Sequence, residues 1–144
     1  MLANPRNNMS SQVRKPFKIA LIDDCQSVRR SFRMQMANLG WSVMTLENSF
    51  GVAVKLIEFA PDVIFLDVEM PGLTGEGLSR VLRNKRCLPN ALVFYYSSVG
   101  TDELKKLTHD SQIEGFYCKS ENYISIDQSL RLKLKAPPRN SKAG

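Results

Sequence analysis

Acidic, hydroxyl and ammonium side chains follow short apolar runs in this sequence, in an order suited to a metal ion and a phosphoryl group. Each comes directly after three to five apolar residues: Asp23 with Asp24, Asp67, Ser97 and Lys119. Magnesium prefers oxygen ligands, commonly one or two carboxylates together with phosphate oxygens. An ammonium and a hydroxyl can neutralise and hydrogen-bond the remaining phosphate oxygens. The residue types therefore predict a magnesium-dependent phosphoryl site.

The apolar runs alternate with helical patterns, which predicts a parallel sheet with helices on both of its faces. Strands are predicted at 17–23, 41–46, 62–66, 91–96 and 115–118. Helices are predicted from Ser27 to Leu39 and at about 50–59, 76–85, 101–111 and 121–135. Right-handed crossovers favour a doubly wound α/β sheet with strand order 2-1-3-4-5. Ligands of such sheets bind at the carboxyl edge, where the polar residues would meet.

Three helices have apolar stripes that predict which of their faces is buried, the one at 50–59 through Val52, Leu56 and Phe59. Ser27 is the expected N-cap of the first helix. Its stripe is Val28, Phe32, Met36 and Leu39, followed by Gly40 at the C-terminus. The last helix has a less regular stripe, with Ile124, Ile126, Leu130 and Leu134 as inward candidates.

Asp67 is the candidate nucleophile. It follows a wholly apolar strand and precedes the turn signal Met70–Gly72, so its carboxylate is expected to be presented rather than packed. A carboxylate can accept a phosphoryl group covalently. Asp23, Asp24 and Asp67 would repel one another without a cation, which favours bound magnesium. Lys119 ends an apolar strand, and an ammonium there requires an anion nearby.

Length and composition predict one soluble domain, since the 144 residues are 43% apolar and 24% charged. The cysteines Cys25, Cys87 and Cys118 lack metal-ligand spacing and are interpreted as reduced thiols of a cytoplasmic protein. No apolar stretch approaches the roughly 18 residues of a membrane span, and the N-terminus lacks a signal-peptide core. Residues 1–15 and 136–144 are predicted to be flexible tails around a domain at 16–135.

The formal net charge is +6. Such a balance could favour nucleic acid or an acidic partner. The basic clusters are interpreted here as solvated helix faces. No helix-turn-helix, zinc-finger or RNA-binding signature accompanies them, so the sequence predicts no nucleic-acid partner.

Four motifs in order resemble the receiver domain of two-component response regulators, over about residues 16–135. The motifs are Ile19–Asp24, Val63–Gly72, Tyr95–Ser98 and Gly115–Lys119. Ser97 lies 30 residues after Asp67, and Lys119 lies 22 residues after Ser97, which fits that family. The resemblance implies a flavodoxin-like fold.

The resemblance also implies a ligand set. A histidine kinase or phosphotransfer protein would phosphorylate Asp67. Asp24, assisted by Asp23, would bind magnesium together with Asp67 and the backbone carbonyl of Glu69. Lys119 would pair with the phosphoryl group.

A switch and an output surface are implied as well. Ser97 would move toward the phosphoryl group, and Phe116 would turn inward in response. The output would be a changed affinity for a downstream protein at the surface formed by 101–111, 115–118 and 121–135. Such a receiver is a signalling module rather than an enzyme, and is a monomer or dimerises on phosphorylation.

Three positions depart from the family pattern. Ser120 replaces the usual proline after the lysine, and a non-proline cis bond there would cost roughly 3 kcal/mol. Thr74 replaces a common acidic residue, and Glu69 adds a fourth acid near the site. No required residue is missing, so an active receiver is predicted.

Two alternatives remain open. Pro137 and Pro138 could begin a linker, which would make the chain the N-terminal receiver of a DNA-binding regulator. A haloacid-dehalogenase-type phosphohydrolase also uses magnesium and an aspartyl phosphate. Its nucleophile, however, follows the first strand in an Asp-x-Asp pattern, whereas Asp67 follows the third.

Overall fold

Parallel strands and helices alternate in the computed structural model, which describes residues 15–47, 51–69, 88, 90–98, 101–111 and 113–135. The strands are β1 (Lys18–Ile22), β2 (Ser42–Leu46), β3 (Val63–Leu66), β4 (Leu92–Ser97) and β5 (Gly115–Cys118). The helices are α1 (Gln26–Asn38), α2 (Val52–Phe59), α3 (Thr101–Ser111) and α4 (Tyr123–Lys135). None of the helices in this described part of the chain is long and apolar enough to cross a membrane.

All strand pairs are parallel, and the sheet order is β2-β1-β3-β4-β5, which confirms the predicted topology. The helix predicted at 76–85, the turn at Met70–Gly72, Thr74 and Cys87 lie outside the described residues. The predicted tails lie outside them too, except for Lys15.

Each face of the sheet has its own core, because successive side chains of a strand point to opposite faces. The α2-side core consists mainly of Ala20, Ile22, Ile64, Leu66, Val93 and Tyr95, covered by Val52 and Leu56 of α2. The α1/α4-side core consists mainly of Ile19, Leu21, Phe65, Phe94, Tyr96 and Tyr117, covered by Phe32, Met36, Ile126 and Leu130. Burial on both faces explains why the strands are almost continuously apolar.

Aromatic rings dominate the α1/α4-side core. Phe65 lies at the centre, with ring centroids 5.6 Å from Phe32, 6.0 Å from Phe94, 5.0 Å from Tyr96 and 5.3 Å from Tyr117. Edge-on, tilted and stacked pairs at these distances each add about 0.5–1.5 kcal/mol to the stabilisation from burial of their area. The rings therefore connect β3, β4, β5 and α1 into one packed unit.

A polar clamp ties α4 to the end of α1. Trp41 Nε1 and Arg131 Nε both donate to Oδ1 of Asp127, at 2.8 and 2.7 Å. Arg131 Nη2 also donates to the carbonyl of Leu39 at 2.9 Å. The chain leaves α1 through Gly40, whose φ of +98° is readily adopted by glycine. The clamp fixes the C-terminal half of α4 against the start of β2.

Two details of the helices differ from prediction. The prediction that Ser27 caps the first helix is wrong, because α1 begins at Gln26 with Cys25 as its N-cap and no side-chain capping bond. The turn begins early because the backbone N–H of Cys25 donates to Oδ1 of Asp23 at 2.9 Å. The prediction that Ile124 faces inward is also wrong, since 55% of it is exposed. Residues two apart on a helix lie on nearly opposite sides, and Ile126 takes the buried side.

Candidate functional site

Three strand ends bring an ammonium between two carboxylates. Lys119 Nζ lies 2.8 Å from Oδ2 of Asp23 and 3.3 Å from Oδ2 of Asp67. Asp23 is fully buried, and Asp67 is 6% exposed. Ser97, the last residue of β4, is also fully buried. The structure therefore brings Asp23, Asp67 and Lys119 together, as predicted from their strand-end positions.

Backbone hydrogen bonds fix these positions by extending the parallel ladder past the strands. The three bonds are Asp23 N–H to the carbonyl of Leu46, Asp67 N–H to that of Ile22, and Lys119 N–H to that of Ser97, at 2.9, 3.0 and 3.0 Å. Each functional residue is thus held by the neighbouring strand rather than by a free loop. The main chain at the site is consequently set by the sheet itself.

Each buried carboxylate divides its two oxygens between the backbone and the site. Oδ1 of Asp23 accepts from the N–H of Cys25, and Oδ1 of Asp67 accepts from the N–H of Glu69, both at 2.9 Å. Oδ2 of Asp23 makes no aligned hydrogen bond, so its contact with Lys119 is an ion pair only. That oxygen retains capacity for a further cation.

The pKa values of the two facing groups respond to the shared burial. Burial raises the pKa of Asp67 above its usual 3.8, and the charge of Asp23 adds to the rise. The hydrogen bond from Glu69 and the charge of Lys119 act in the opposite direction but are weaker. Burial lowers the pKa of Lys119, but its contacts with Asp23 and then Asp67 outweigh burial and leave it above 10.5. One ammonium therefore does not fully compensate two buried carboxylates.

This donor set fits magnesium in its chemistry. The Oδ2 atoms of Asp23 and Asp67 are hard oxygen donors, and Asp24, the residue after Asp23, is exposed. Glu69 is exposed, and its N–H already binds Asp67. Within the described ranges, no three acidic, histidine or cysteine side chains group closely enough to hold a metal ion by themselves. An ion here would need backbone or water oxygens as well.

The predicted switch residues lie on neighbouring strands. Ser97 of β4 pairs in register with Cys118 of β5, and Phe116 pairs with Tyr95. Phe116 is half-buried and packs against the α2-side core. No peptide bond in the described segments is cis, so the bond between Lys119 and Ser120 is trans. Phe116 thus sits between the sheet and the surface, one strand away from Ser97.

Sequence reasoning missed two residues that position the site. Arg29 Nη1, near the start of α1, donates to the carbonyl of Asp23 at 2.8 Å, six residues earlier in the chain. Glu121 accepts the backbone N–H of Cys118 at 2.7 Å, which shapes the turn that carries Lys119. A charged residue shortly after each strand-end motif was the available signal.

Sheet order, strand-end carboxylates and the facing lysine define an α/β receiver, and comparison with known proteins agrees. The chain belongs to the response regulator receiver domain family, whose model matches residues 19–131. The chain is therefore a receiver domain of two-component signalling. Phosphorylation and magnesium are characteristic of this family, whose members are generally signalling domains that contact histidine kinases and downstream effectors.

Individual relatives are similar at modest identity. Protein PilG of Pseudomonas aeruginosa is 28% identical over 81 residues, covering 56% of this chain and 60% of PilG. Transcriptional regulatory protein ResD of Bacillus subtilis is 28% identical over 122 residues, covering 83% of this chain and 47% of ResD. The chain thus spans less than two thirds of either relative. The chemotaxis response regulator CheY4 of Vibrio cholerae superposes with a TM-score of 0.72 at 21% identity, covering 81% of this chain and 98% of CheY4. That similarity shows the fold.

Proposed function

We propose that Asp67 accepts a phosphoryl group from a histidine kinase or a phosphotransfer protein, in a magnesium-dependent reaction. The observation that supports this most is Lys119 held between Asp23 and Asp67 at the sheet edge. A carboxylate oxygen of Asp67 attacks phosphorus, the bond from phosphorus to the donor imidazole nitrogen breaks, and its electron pair leaves with the imidazole. Family membership, shown independently of the geometry, supports the same chemistry.

The remaining site residues would act by charge and position. Asp24, Asp23, Asp67 and the carbonyl of Glu69 would hold magnesium, whose charge neutralises phosphoryl oxygens. Lys119 would turn from Asp67 to a phosphoryl oxygen while keeping its contact with Asp23, and the Ser97 hydroxyl would donate a hydrogen bond to another phosphoryl oxygen. The free-energy cost of moving Lys119 would be small, because negative phosphoryl oxygens would replace the Asp67 carboxylate as its partner.

The proposed output surface is the α3–β5–α4 face, which contains a groove of about 400 Å³. Its lining includes the aromatic Phe116 and Tyr117, the cationic Lys105 and Lys133, and one acidic residue, Glu114. Two lysines against one acid give the lining a net positive charge, which suits an acidic downstream protein. A change in the side chain of Phe116, following Ser97, would alter this lining and so the affinity for the partner. The domain would act in the cytoplasm as a signalling module, either as a monomer or as a phosphorylation-dependent dimer.

Intact-mass spectrometry tests the acceptor directly. The protein is incubated with acetyl phosphate and magnesium beside Asp67→Asn and a matched control, Asp102→Asn, which removes an exposed carboxylate of α3. We expect one added phosphoryl group in the wild type and in Asp102→Asn, and none in Asp67→Asn or after chelation. Phosphorylation of Asp67→Asn would overturn the assignment.

A second candidate follows from the length of the relatives. ResD is a transcriptional regulatory protein, and this chain covers 47% of it. The chain could therefore serve as the receiver part of a longer DNA-binding regulator, with its output directed to a covalently attached domain. Reading the gene beyond the codon for Gly144 decides this. The phosphohydrolase alternative has no such support, because Asp67 follows β3 and the receiver family matches throughout the sheet.

A further inference from the structure

Positive charge is concentrated at the two ends of the chain. Residues 1–15 and 128–144 contain eight basic residues and no acidic residue: Arg6, Arg14, Lys15, Arg131, Lys133, Lys135, Arg139 and Lys142. Residues 16–127 contain twelve basic and fourteen acidic residues. The positive net charge of the protein therefore comes entirely from its ends.

Three of these basic residues, Lys15, Arg131 and Lys135, lie among the described residues at one cleft. A cleft of about 1040 Å³ is lined by Lys15, Phe17, Gly40, Arg131, Leu134 and Lys135, and is called the basic cleft below. Phe17 directly precedes β1, so the cleft lies at the amino edge of the sheet, roughly 20 Å along the strand from Asp23. The molecule thus has a basic pole opposite its acidic carboxyl edge.

The cationic side chains of the basic cleft differ in whether they are paired with an acidic residue. Arg131 is fixed by Asp127 and by the carbonyl of Leu39. Lys15 and Lys135 are exposed, and neither forms an ion pair with an acidic residue of the described segments. Two exposed cations therefore flank Arg131, whose charge is paired with Asp127, across a concave surface.

We propose that the basic cleft binds the phosphodiester backbone of nucleic acid without reading its sequence. Several lysines and arginines that meet a polyanion gain affinity mainly by releasing condensed counterions. Such binding needs no helix-turn-helix or zinc finger, so the lack of these motifs does not bear on it. The acidic carboxyl edge would be repelled by the polyanion and would orient the protein with its basic pole inward.

The surroundings of the cleft favour nucleic acid over a membrane surface. Phe17 and Leu134 are half-buried, and the ring of Phe17 lies 5.9 Å from that of Trp41, so neither side chain is presented for insertion into lipid. A concave cleft can admit a ridge of backbone phosphates, whereas a flat bilayer would contact only its rim.

Fluorescence anisotropy with labelled duplex DNA tests the proposal on the full chain between about 50 and 200 mM KCl. The test variant is Lys15→Glu with Lys135→Glu. The matched control is Lys55→Glu with Lys106→Glu, which changes the net charge equally at exposed positions of α2 and α3. We expect the test variant to lose about tenfold in affinity and its salt slope to fall by about two, with little change in the control.

Three outcomes would overturn the proposal. The wild type could fail to bind DNA at the lowest salt, or the control variant could lose as much affinity as the test variant. Cosedimentation with vesicles of anionic phospholipid, in the absence of DNA binding, would assign the cleft to a membrane surface instead.

Discussion

Lys119 pairs more closely with Asp23 than with Asp67, at 2.8 Å against 3.3 Å. Asp23 is the more deeply buried of the two carboxylates. The ammonium therefore lies closest to Asp23, whereas its aligned hydrogen bond goes to Oδ2 of Asp67, the proposed acceptor. Released from Asp67, Lys119 would keep its pairing with Asp23.

Removing the ammonium should expose the repulsion between the carboxylates. Lys119→Met keeps most of the aliphatic stem, and we expect it to lower the free energy of unfolding by about 2 kcal/mol in metal-free buffer. Magnesium should reduce that loss, because a cation would again lie between Asp23 and Asp67. Urea denaturation with chelator and with magnesium measures both values, with exposed Lys106→Met as the control. Equal losses in the free energy of unfolding with chelator and with magnesium would contradict the idea that magnesium and the Lys119 ammonium occupy the same place between the carboxylates.

Asp67 should be necessary for stabilisation by magnesium. An ion that binds the folded state alone adds about 2.7 kcal/mol at one hundred times its Kd. We expect the thermal midpoint of the wild type to rise with magnesium and that of Asp67→Asn to rise much less. Asp102→Asn, which alters an exposed carboxylate, should respond like the wild type. An unchanged response in Asp67→Asn would place any bound ion elsewhere.

The pKa shift of Asp67 predicts how stability depends on pH without metal. Its folded-state pKa is raised above 3.8, chiefly by burial. Its favourable contribution is therefore complete below pH 3.8 and is lost as pH rises through the folded-state pKa. Asn cannot titrate, so the stability of Asp67→Asn relative to the wild type should increase over that range. Thermal midpoints in chelator from acid to neutral pH check this, and an opposite trend would mean that Lys119 outweighs burial.

Asp127 should matter for stability although it lies far from the site. One of its oxygens accepts from both Trp41 and Arg131, and its side chain is only 14% exposed. Asp127→Ala would leave both donors without this partner, and we expect a loss of about 2–3 kcal/mol. Urea denaturation followed by Trp41 fluorescence measures the change. Asp102→Ala, at an exposed position of α3, should cost less than about 0.5 kcal/mol.

Ala60 offers a stabilising substitution. Its φ of 54° lies in the left-handed region, where an L-residue with a Cβ is disfavoured by about 1–2 kcal/mol. Glycine would remove this penalty, but part of the stabilisation would be offset because glycine has more conformational freedom in the unfolded chain. We expect Ala60→Gly to raise the free energy of unfolding by about 0.5–1 kcal/mol. The reverse change at Gly40, Gly40→Ala, should destabilise, and the two together test whether φ controls both effects.

The strand ends could be predicted from the sequence because parallel strands buried on both faces are apolar throughout. A polar residue that ends such a run must lie at the sheet edge, as Asp23, Asp67 and Lys119 do. Even so, β4 extends one residue further than predicted and includes Ser97. The fold and the grouping of the site followed from this single pattern.

Side-chain partners could not be predicted in the same way. Which carboxylate Lys119 approaches more closely depends on differences of tenths of an ångström across three strands. The contact of Trp41 with Asp127 joins residues 86 positions apart. The helix start at Gln26 depends on an Asp23 side chain that also belongs to the site. These hydrogen-bond and ion-pair partners are determined by tertiary packing rather than by the local sequence pattern.

From the ring cluster around Phe65 we expect the two sides of the sheet to differ in stiffness. Interlocked aromatic rings and the clamp at Arg131 make the side under α1 and α4 difficult to rearrange. Phe116 lies on the other side, among the more aliphatic contacts of the α2-side core. A structural change caused by phosphorylation of Asp67 would therefore shift side chains of the α2-side core more readily than those of the α1/α4-side core. The change would then spread toward Phe116 because the two cores differ in stiffness, and no dedicated chain of coupled residues would be required.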